Sequence, residues 1–389
     1  ARARVVHVIT MLEWGGAQEN TLHTVGRLDP GRFEPVLLAG PGGMLDGRAA
    51  RTPGLRFLTV DDLVREVRPI RDAKAFLALR DILREERNGA GAPLVVHTHS
   101  SKAGILGRAA ARAAGADAIV HSIHGFGFHD GQAAPVRSLY VALERMAARW
   151  TDAFVAVSEE NIRTGEREEI FLPSRCRLIR SGFDTTRFLA GSREAGRRIL
   201  GAGDVGPVVG TVAVFKPQKA PLDFVAAARL VAREFRDARF VMVGDGELRG
   251  ECERAATSAG LAGRFSFLGW RQEVPDLLAS FDVFLLTSRW EGLPRVVPQA
   301  LIAGVPVVAT AVDGTKEIVD HGVDGLLFPA GDVEALARGV SDVLSGRVRL
   351  DAGRKRDRLV REFDQDGMVR AQERLYAEIL AGKGFPGWS

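Results

Sequence analysis

The chain has 389 residues, of which 46% are hydrophobic and 26% charged, with a formal net charge of +4 and two cysteines. That length exceeds one ordinary hydrophobic core and implies two domains, and the small net charge, without a basic run or an aromatic platform, argues against nucleic acid as a partner. Cys176 and Cys252 lie far apart without metal-ligand spacing, and no apolar run approaches a membrane span, so neither a disulfide scaffold nor a membrane-spanning chain is expected. VVHVIT, residues 5 to 10, is too short for the apolar core of a signal peptide, and the expected location is the cytoplasm.

VVHVIT reads as a buried strand, and the turn after it, MLEWGG, leads into a helix. Gly15 and Gly16 in that turn would let a diphosphate or an acceptor approach the backbone in front of the helix start; a tight strand-to-helix turn without a ligand is the plain alternative. PVLLAG, LRFLTV, LVVHTH, AIVHSIHG, AFVAVS and RLIRSG continue the series, each followed by a helical pattern or a turn. Five of the eight histidines lie between 97 and 129, with His97 and His99 on one face of a strand and His121 and His124 on the next. The acidic or cysteine co-ligands of a metal cage are missing nearby, so no metal is expected. Residues 1 to 182 carry 25 basic against 21 acidic side chains, and the remainder 28 against 28. This slight bias is compatible with peripheral contact between the N-terminal domain and an anionic membrane, and ordinary surface variation explains it as well.

The second half repeats the alternation with VVGTVAVF, RFVMVGDG, RFSFLGW, VFLLTS, PVVATA and GLLFPAG, so two doubly wound parallel sheets are the economical topology. VVGTVAVF should deliver Lys216 and Lys219 to a ligand crevice, where two ammonium groups could neutralise a diphosphate. RFVMVGDGELRG places Gly244, Gly246 and Gly250 in a variant of the dinucleotide fingerprint, which makes an NADP-dependent oxidoreductase a rival reading. Against it, a strand already precedes this one in the domain, and the next strand ends without a ribose-binding acid. From Thr287 to Val319 a strand, a turn, a helix and a second buried strand form one βαβ unit. Its turn holds Glu291, and the backbone N–H groups of Leu293 and of Arg295 to Val297 would face the crevice at the helix start. Gln299 stands eight residues after Glu291. The triplet at Asp364 to Asp366 is read as acids complementing a helix start.

The segment EGLPRVVPQALIAGVPVVATAVDG resembles the retaining nucleotide-sugar glycosyltransferases of family 4, in which an acid, seven residues and a second acid stand in a run like EGLP…EAMA.G.PVVA…GG..E. The resemblance implies the GT-B fold, two Rossmann-like domains facing across a cleft. It implies an N-terminal acceptor-side domain, residues 1–182, a donor-side domain, 183–363, joined at SGFDTTR, and a last helix, 364–389, that crosses back. It further implies a nucleotide-sugar donor, a glycan or lipid-linked acceptor, and no cofactor or metal. Glu291, His124 and Lys219 are the residues expected to act in transfer. Gly15, Gly16, Lys216, Gly244, Trp270, Arg271, Gly292, Leu293, Arg295, Val296 and Gln299 are expected to join Lys219 and Glu291 around the donor, with Trp270 and Arg271 offering main-chain atoms to the base. His99, Ser100 and Lys102 are expected on the acceptor side.

Four departures stand out. Gln299 replaces the second acid, Val214 replaces an arginine, and Ala220 replaces the glycine after the phosphate lysine; Gln18 likewise replaces an acid after Gly15 and Gly16. An amide keeps one acceptor for a ribose hydroxyl but lacks charge assistance. Gln299 and Val214 keep a non-catalytic glycosyltransferase-like subunit among the alternatives; a GT-B sugar-nucleotide epimerase and inversion through His124 as base are the others.

Overall fold

A computed structural model describes residues 2–129, 131–201 and 206–388. The chain divides into two compact units, Ala1–Phe183 with Gln365–Ser389, and Asp184–Asp364.

The first unit is a seven-stranded parallel sheet with strands β1 (Ala3–Met11), β2 (Phe33–Gly40), β3 (Arg56–Thr59), β4 (Leu94–His99), β5 (Ala118–Ile123), β6 (Ala153–Ala156) and β7 (Cys176–Leu178), in the order β3-β2-β1-β4-β5-β6-β7. The interior strands are almost continuously apolar because both faces are covered. On one face Val5, Val95, Val120 and Phe33 pack under Met368, Leu375, Tyr376 and Leu380 of the helix Gln365–Gly382. On the other, Val6, Val8, Leu38 and Val96 meet Leu79 and Leu83 of the helix Pro69–Ala90 and Ala103, Ala110 and Ala111 of the helix Ser101–Ala114. Alternate residues of one strand thus serve two cores, the period of two that a pleated strand imposes.

The second unit is a six-stranded parallel sheet with strands β8 (Val208–Val212), β9 (Arg239–Val243), β10 (Phe265–Phe267), β11 (Val283–Leu286), β12 (Val307–Thr310) and β13 (Gly325–Phe328), in the order β10-β9-β8-β11-β12-β13. Phe224, Ala228 and Val231 of the helix Pro221–Glu234 pack with Val209, Phe240, Met242 and Leu336 in its core. All thirteen strands expected from the apolar runs are present, and both sheets have the doubly wound order in which the first strand in sequence lies inside the sheet. The order reverses between β1 and β4 in the first unit and between β8 and β11 in the second. At such a reversal the two following loops part to opposite faces and leave a crevice at the carboxyl end of the sheet.

Among the described residues no helix is long and apolar enough to cross a membrane.

Candidate active site

The crevice of the second unit is built by the loops after β8 and β11, and the two are stitched together. The Arg289 N–H donates to the Gln218 carbonyl at 2.8 Å, the Gln218 amide to the Trp290 carbonyl at 2.9 Å, and the Thr287 hydroxyl to the Lys219 and Ala220 carbonyls at 3.0 Å each. Ala220 is held at φ 44°, ψ 54°. This is the left-handed region, which explains why the related motif has glycine there and makes alanine a strained choice, by about 1–2 kcal/mol.

Within this frame the Lys219 ammonium donates to Glu291 Oε1 at 2.5 Å, and the Ser288 hydroxyl donates to the same oxygen at 2.6 Å. The Glu291 side chain is only 5% exposed and that of Lys219 18%. Glu291 Oε2 has no hydrogen-bond partner among the described residues, so one carboxylate oxygen is fixed and the other remains for a ligand. Asp313, at φ 35°, accepts the Glu291 N–H at 2.6 Å, and the Thr310 hydroxyl donates to the Ser288 carbonyl at 2.6 Å. The turn is therefore held from below by the loop after β12. Sequence reasoning found Lys219 and Glu291 but missed Ser288, Thr310 and Asp313, whose significance lies in contacts across strands rather than in spacing.

The remaining donor-side residues fall on the same edge of the sheet, since all six strands run parallel. The helix after the turn spans Val296–Ile302, with Gln299 buried on it. The Val297 N–H donates to the Pro294 carbonyl at 3.0 Å, which corrects the expectation that it is open to a phosphate; Leu293 and Val296 have no backbone acceptor among the described residues. Gly292 abuts Gly314, where an added Cβ would lie 2.6 Å from the Gly292 carbonyl oxygen. Lys216 is half-buried at the start of the turn that carries Lys219. Trp270 is 42% exposed, and Arg271 pairs with Glu273 at 2.9 Å.

Gly244 and Gly246 serve a different need from the one the fingerprint suggested. At Gly244, φ is 118° and a Cβ would lie 2.0 Å from the Ala213 carbonyl oxygen; at Gly246 it would lie 2.6 Å from that of Phe215. The chain's own backbone, rather than a pyrophosphate, occupies the space a side chain would fill. β9 also lies away from the reversal, so the dinucleotide reading loses two of its three glycines and its location.

In the first unit the reversal places the turn after β1 beside that after β4. Gly15 has φ 174°, extended backbone open to any residue, and an added Cβ would meet only the Gln18 side chain; this turn does not require glycine there. Gly16 is exposed at the first position of the helix Gly16–Arg27. Ser100, at φ 61°, ψ 163°, occupies a region that is nearly exclusive to glycine and typically costs about 1–3 kcal/mol, held there by its hydroxyl contact with Thr10 at 2.8 Å. Such strain at a crevice marks Ser100 as a residue whose position is being enforced. Lys102 is committed to the Asp72 carboxylate and the Glu66 carbonyl. His99 is 3% exposed, with Nε2 bonded to His7 Nδ1 at 2.8 Å and Nδ1 to His124 Nε2 at 3.2 Å. It therefore does not present a ring nitrogen to an acceptor, and the expectation of direct contact is corrected by its burial.

His7, His97 and His99 bring ligand atoms within 4.8 Å of one another. All six of their ring nitrogens, however, are engaged by protein groups: His7 with His99 and Tyr376, His97 with Tyr376 and Ser122, and His99 with His7 and His124. Burial holds all three well below the usual imidazole range, His7 at about 3. The cluster is thus a neutral hydrogen-bonded assembly with no converging lone pairs.

Residues 14–187 match the model of Glycosyltransferase Family 4, and residues 206–346 that of Glycosyl transferases group 1. The chain is similar to the UDP-Gal:alpha-D-GlcNAc-diphosphoundecaprenol alpha-1,3-galactosyltransferase of Escherichia coli, 30% identical over 98% of this chain and 99% of that one. It is also similar to the putative glycosyltransferase EpsD of Bacillus subtilis, 27% identical over 64% of this chain and 67% of that one. Among solved structures, Anabaena HepE in complex with UDP and glucose superposes with a TM-score of 0.78 at 19% identity, over 96% of this chain and 99% of that chain. Sucrose-phosphate synthase from Thermosynechococcus elongatus gives 0.81 at 20% identity, over 98% and 100%. The fold is GT-B, and the chain belongs to the family 4 glycosyltransferases. It is an enzyme that transfers a sugar from a nucleotide-sugar donor, and the oxidoreductase, epimerase and non-catalytic readings are not favoured.

Proposed function

We propose that the enzyme transfers a hexose from a uridine diphosphate sugar to a hydroxyl of a lipid-linked glycan, with retention of anomeric configuration. The single observation that carries this reading is the Lys219, Ser288 and Glu291 cluster at the strand-order reversal of the second unit, where a fixed carboxylate with one open oxygen stands beside an ammonium group. In this reading Glu291 Oε2 accepts a hydroxyl of the donor sugar. Lys219 and Lys216, with the N–H groups of Leu293 and Val296, stabilise the diphosphate as the glycosidic bond lengthens. A phosphate oxygen of the leaving nucleotide takes the proton of the incoming hydroxyl on the same ring face, so no covalent intermediate and no metal ion are needed. His124 meets the sugar near the reacting carbon. The nucleotide, hexose and acceptor class follow the Escherichia coli relative, whose name specifies UDP-galactose and a diphosphoundecaprenol-linked sugar. Such an acceptor would bring the N-terminal domain to an anionic membrane surface in the cytoplasm.

Turnover tests the reaction: nucleoside diphosphate should be released from UDP-galactose only when a diphosphate-lipid-linked N-acetylglucosamine acceptor is present, and the product should show the α-configuration by proton NMR. Release of UDP without an acceptor, or a β-linked product, contradicts the reading.

Gln299 supplies a separate expectation. Glutamine and glutamate are nearly isosteric, and a charged hydrogen bond exceeds a neutral one by about 1 kcal/mol, part of which repulsion from the diphosphate takes back. Gln299→Glu should tighten UDP binding severalfold, and Gln299→Ala should weaken it without unfolding the protein. Identical affinities by calorimetry for all three proteins would place residue 299 outside the ribose site.

A further inference from the structure

The sheet face of the first unit that lies under the helix Gln365–Gly382 holds a continuous line of polar contacts that sugar transfer, as described, does not use. His7 on β1 is the register partner of His97 on β4, and His99 and Ser122 share their face. The Tyr376 hydroxyl reaches this row from the helix. It lies 2.5 Å from His97 Nδ1, 3.2 Å from His7 Nε2 and 3.3 Å from Gln372 Oε1. One arm continues from His97 Nε2 to the Ser122 hydroxyl at 2.8 Å. The other runs from His7 Nδ1 to His99 Nε2 at 2.8 Å, then from His99 Nδ1 to His124 Nε2 at 3.2 Å.

Proton counting gives the second arm a direction. A phenol has one proton to donate, and a neutral imidazole has one N–H and one lone pair. The phenol proton goes to His97, the shortest contact, or to Gln372, whose amide oxygen can only accept. In either case His7 must donate its Nε2–H to the phenol oxygen. His7 Nδ1 is then a lone pair and requires the proton on His99 Nε2; His99 Nδ1 is in turn a lone pair and requires the proton on His124 Nε2. Burial keeps His7 and His99 neutral, so neither ring can donate at both nitrogens and break the sequence.

We propose that Tyr376, acting through His7 and His99, fixes the His124 proton on Nε2, so that this ring meets the donor sugar in a single tautomer. Tyr376 is thereby a positioning residue for transfer, 252 positions along the chain from the histidine it orients. The consequence for turnover rests on the reading that His124 meets the donor sugar; the tautomer itself does not. Replacing the phenol removes the only acceptor of the His7 Nε2–H among the described residues. His7 then gains by moving its proton to Nδ1, and the reversal propagates to His124.

The test is a long-range proton–nitrogen NMR spectrum of the full chain labelled with 15N-histidine, without substrate, with the His124 signals identified by their loss in His124→Gln. In the wild-type protein His124 should carry its proton on Nε2. Tyr376→Phe should shift it to Nδ1 or to an exchanging mixture, whereas Ser122→Ala, on the other arm, should leave the wild-type pattern. In the same Tyr376→Phe protein kcat should fall about tenfold with KM little changed, the loss expected when one hydrogen bond to the donor sugar is misdirected. A wild-type His124 protonated on Nδ1 overturns the proposal without any variant, so it stays testable should Tyr376→Phe fail to fold. So does a His124 pattern that Tyr376→Phe leaves unchanged. A tautomer that responds while kcat does not would uphold the chain and remove His124 from the reaction.

Discussion

Lys219→Ala is expected to lower affinity for a nucleoside diphosphate by a factor of 30 or more and to slow turnover at least as much, since it removes a charge-assisted contact of about 2–3 kcal/mol from a partly dry site. The same substitution leaves the Glu291 carboxylate, 5% exposed, with only the Ser288 hydroxyl for support. Breaking one side of a buried ion pair typically costs about 3–5 kcal/mol, so the second unit should also melt earlier. The two effects separate in a double variant. Lys219→Met with Glu291→Gln removes both charges and should recover most of the lost stability, yet neither binding nor turnover should return. Differential scanning calorimetry and titration on the wild type, the two single variants and the double variant would show this. Recovery of activity along with stability would mean that the pair is structural and the diphosphate is held elsewhere.

A steep acid lability of the first unit is the second large expected effect. Burial lowers the pKa of His7 to about 3 and holds His97, His99 and His121 well below the ordinary 6.5, with Arg108 adding to the effect on His121. These groups stay neutral in the folded state and take up protons in the unfolded chain below 6.5. The unfolded state therefore binds more protons, so the stability is fully present above 6.5 and is lost as pH falls from there toward about 3, where His7 itself protonates. Each group contributes a slope of up to about 1.4 kcal/mol per pH unit, and four together approach about 5 kcal/mol per unit, comparable with the whole stability of a domain. The unfolding transition of the first unit should fall by more than about 10 °C between pH 7 and pH 5. A flat profile across that range would mean that these imidazoles reach water and titrate normally.

The strands were legible because buried parallel strands are short apolar runs between turn residues, and VVHVIT, LVVHTH and VFLLTS differ little from an ideal pattern. Lys219 and Glu291 were legible because each stands in a loop just after such a strand. What spacing could not show was the ligand of each side chain. Gly244 looked like a nucleotide-binding glycine because sequence reveals the need for close approach but not what approaches; here it is the Ala213 carbonyl. Val297 looked open because its N–H lies in a first turn, yet Pro294 takes it. His7, His97 and Tyr376 meet across more than 270 residues, and no local pattern joins a histidine on a first-unit strand to a tyrosine on the last helix. Ala220 marks the opposite case, where the departure from glycine was visible in the sequence and the structure supplies its conformational cost.

The metal-free hold of Lys219 and the backbone N–H groups on the donor's diphosphate is the central claim. Calorimetric titration of the wild-type protein and of Lys219→Ala with UDP, each in the presence of EDTA and then with excess magnesium or manganese, measures it. The wild type should bind UDP with the same affinity under all three conditions, because lysines and backbone N–H groups supply the positive field, and Lys219→Ala should bind at least 30-fold more weakly throughout. Binding that disappears in EDTA and returns with the metal, or equal affinity in the two proteins, would contradict it.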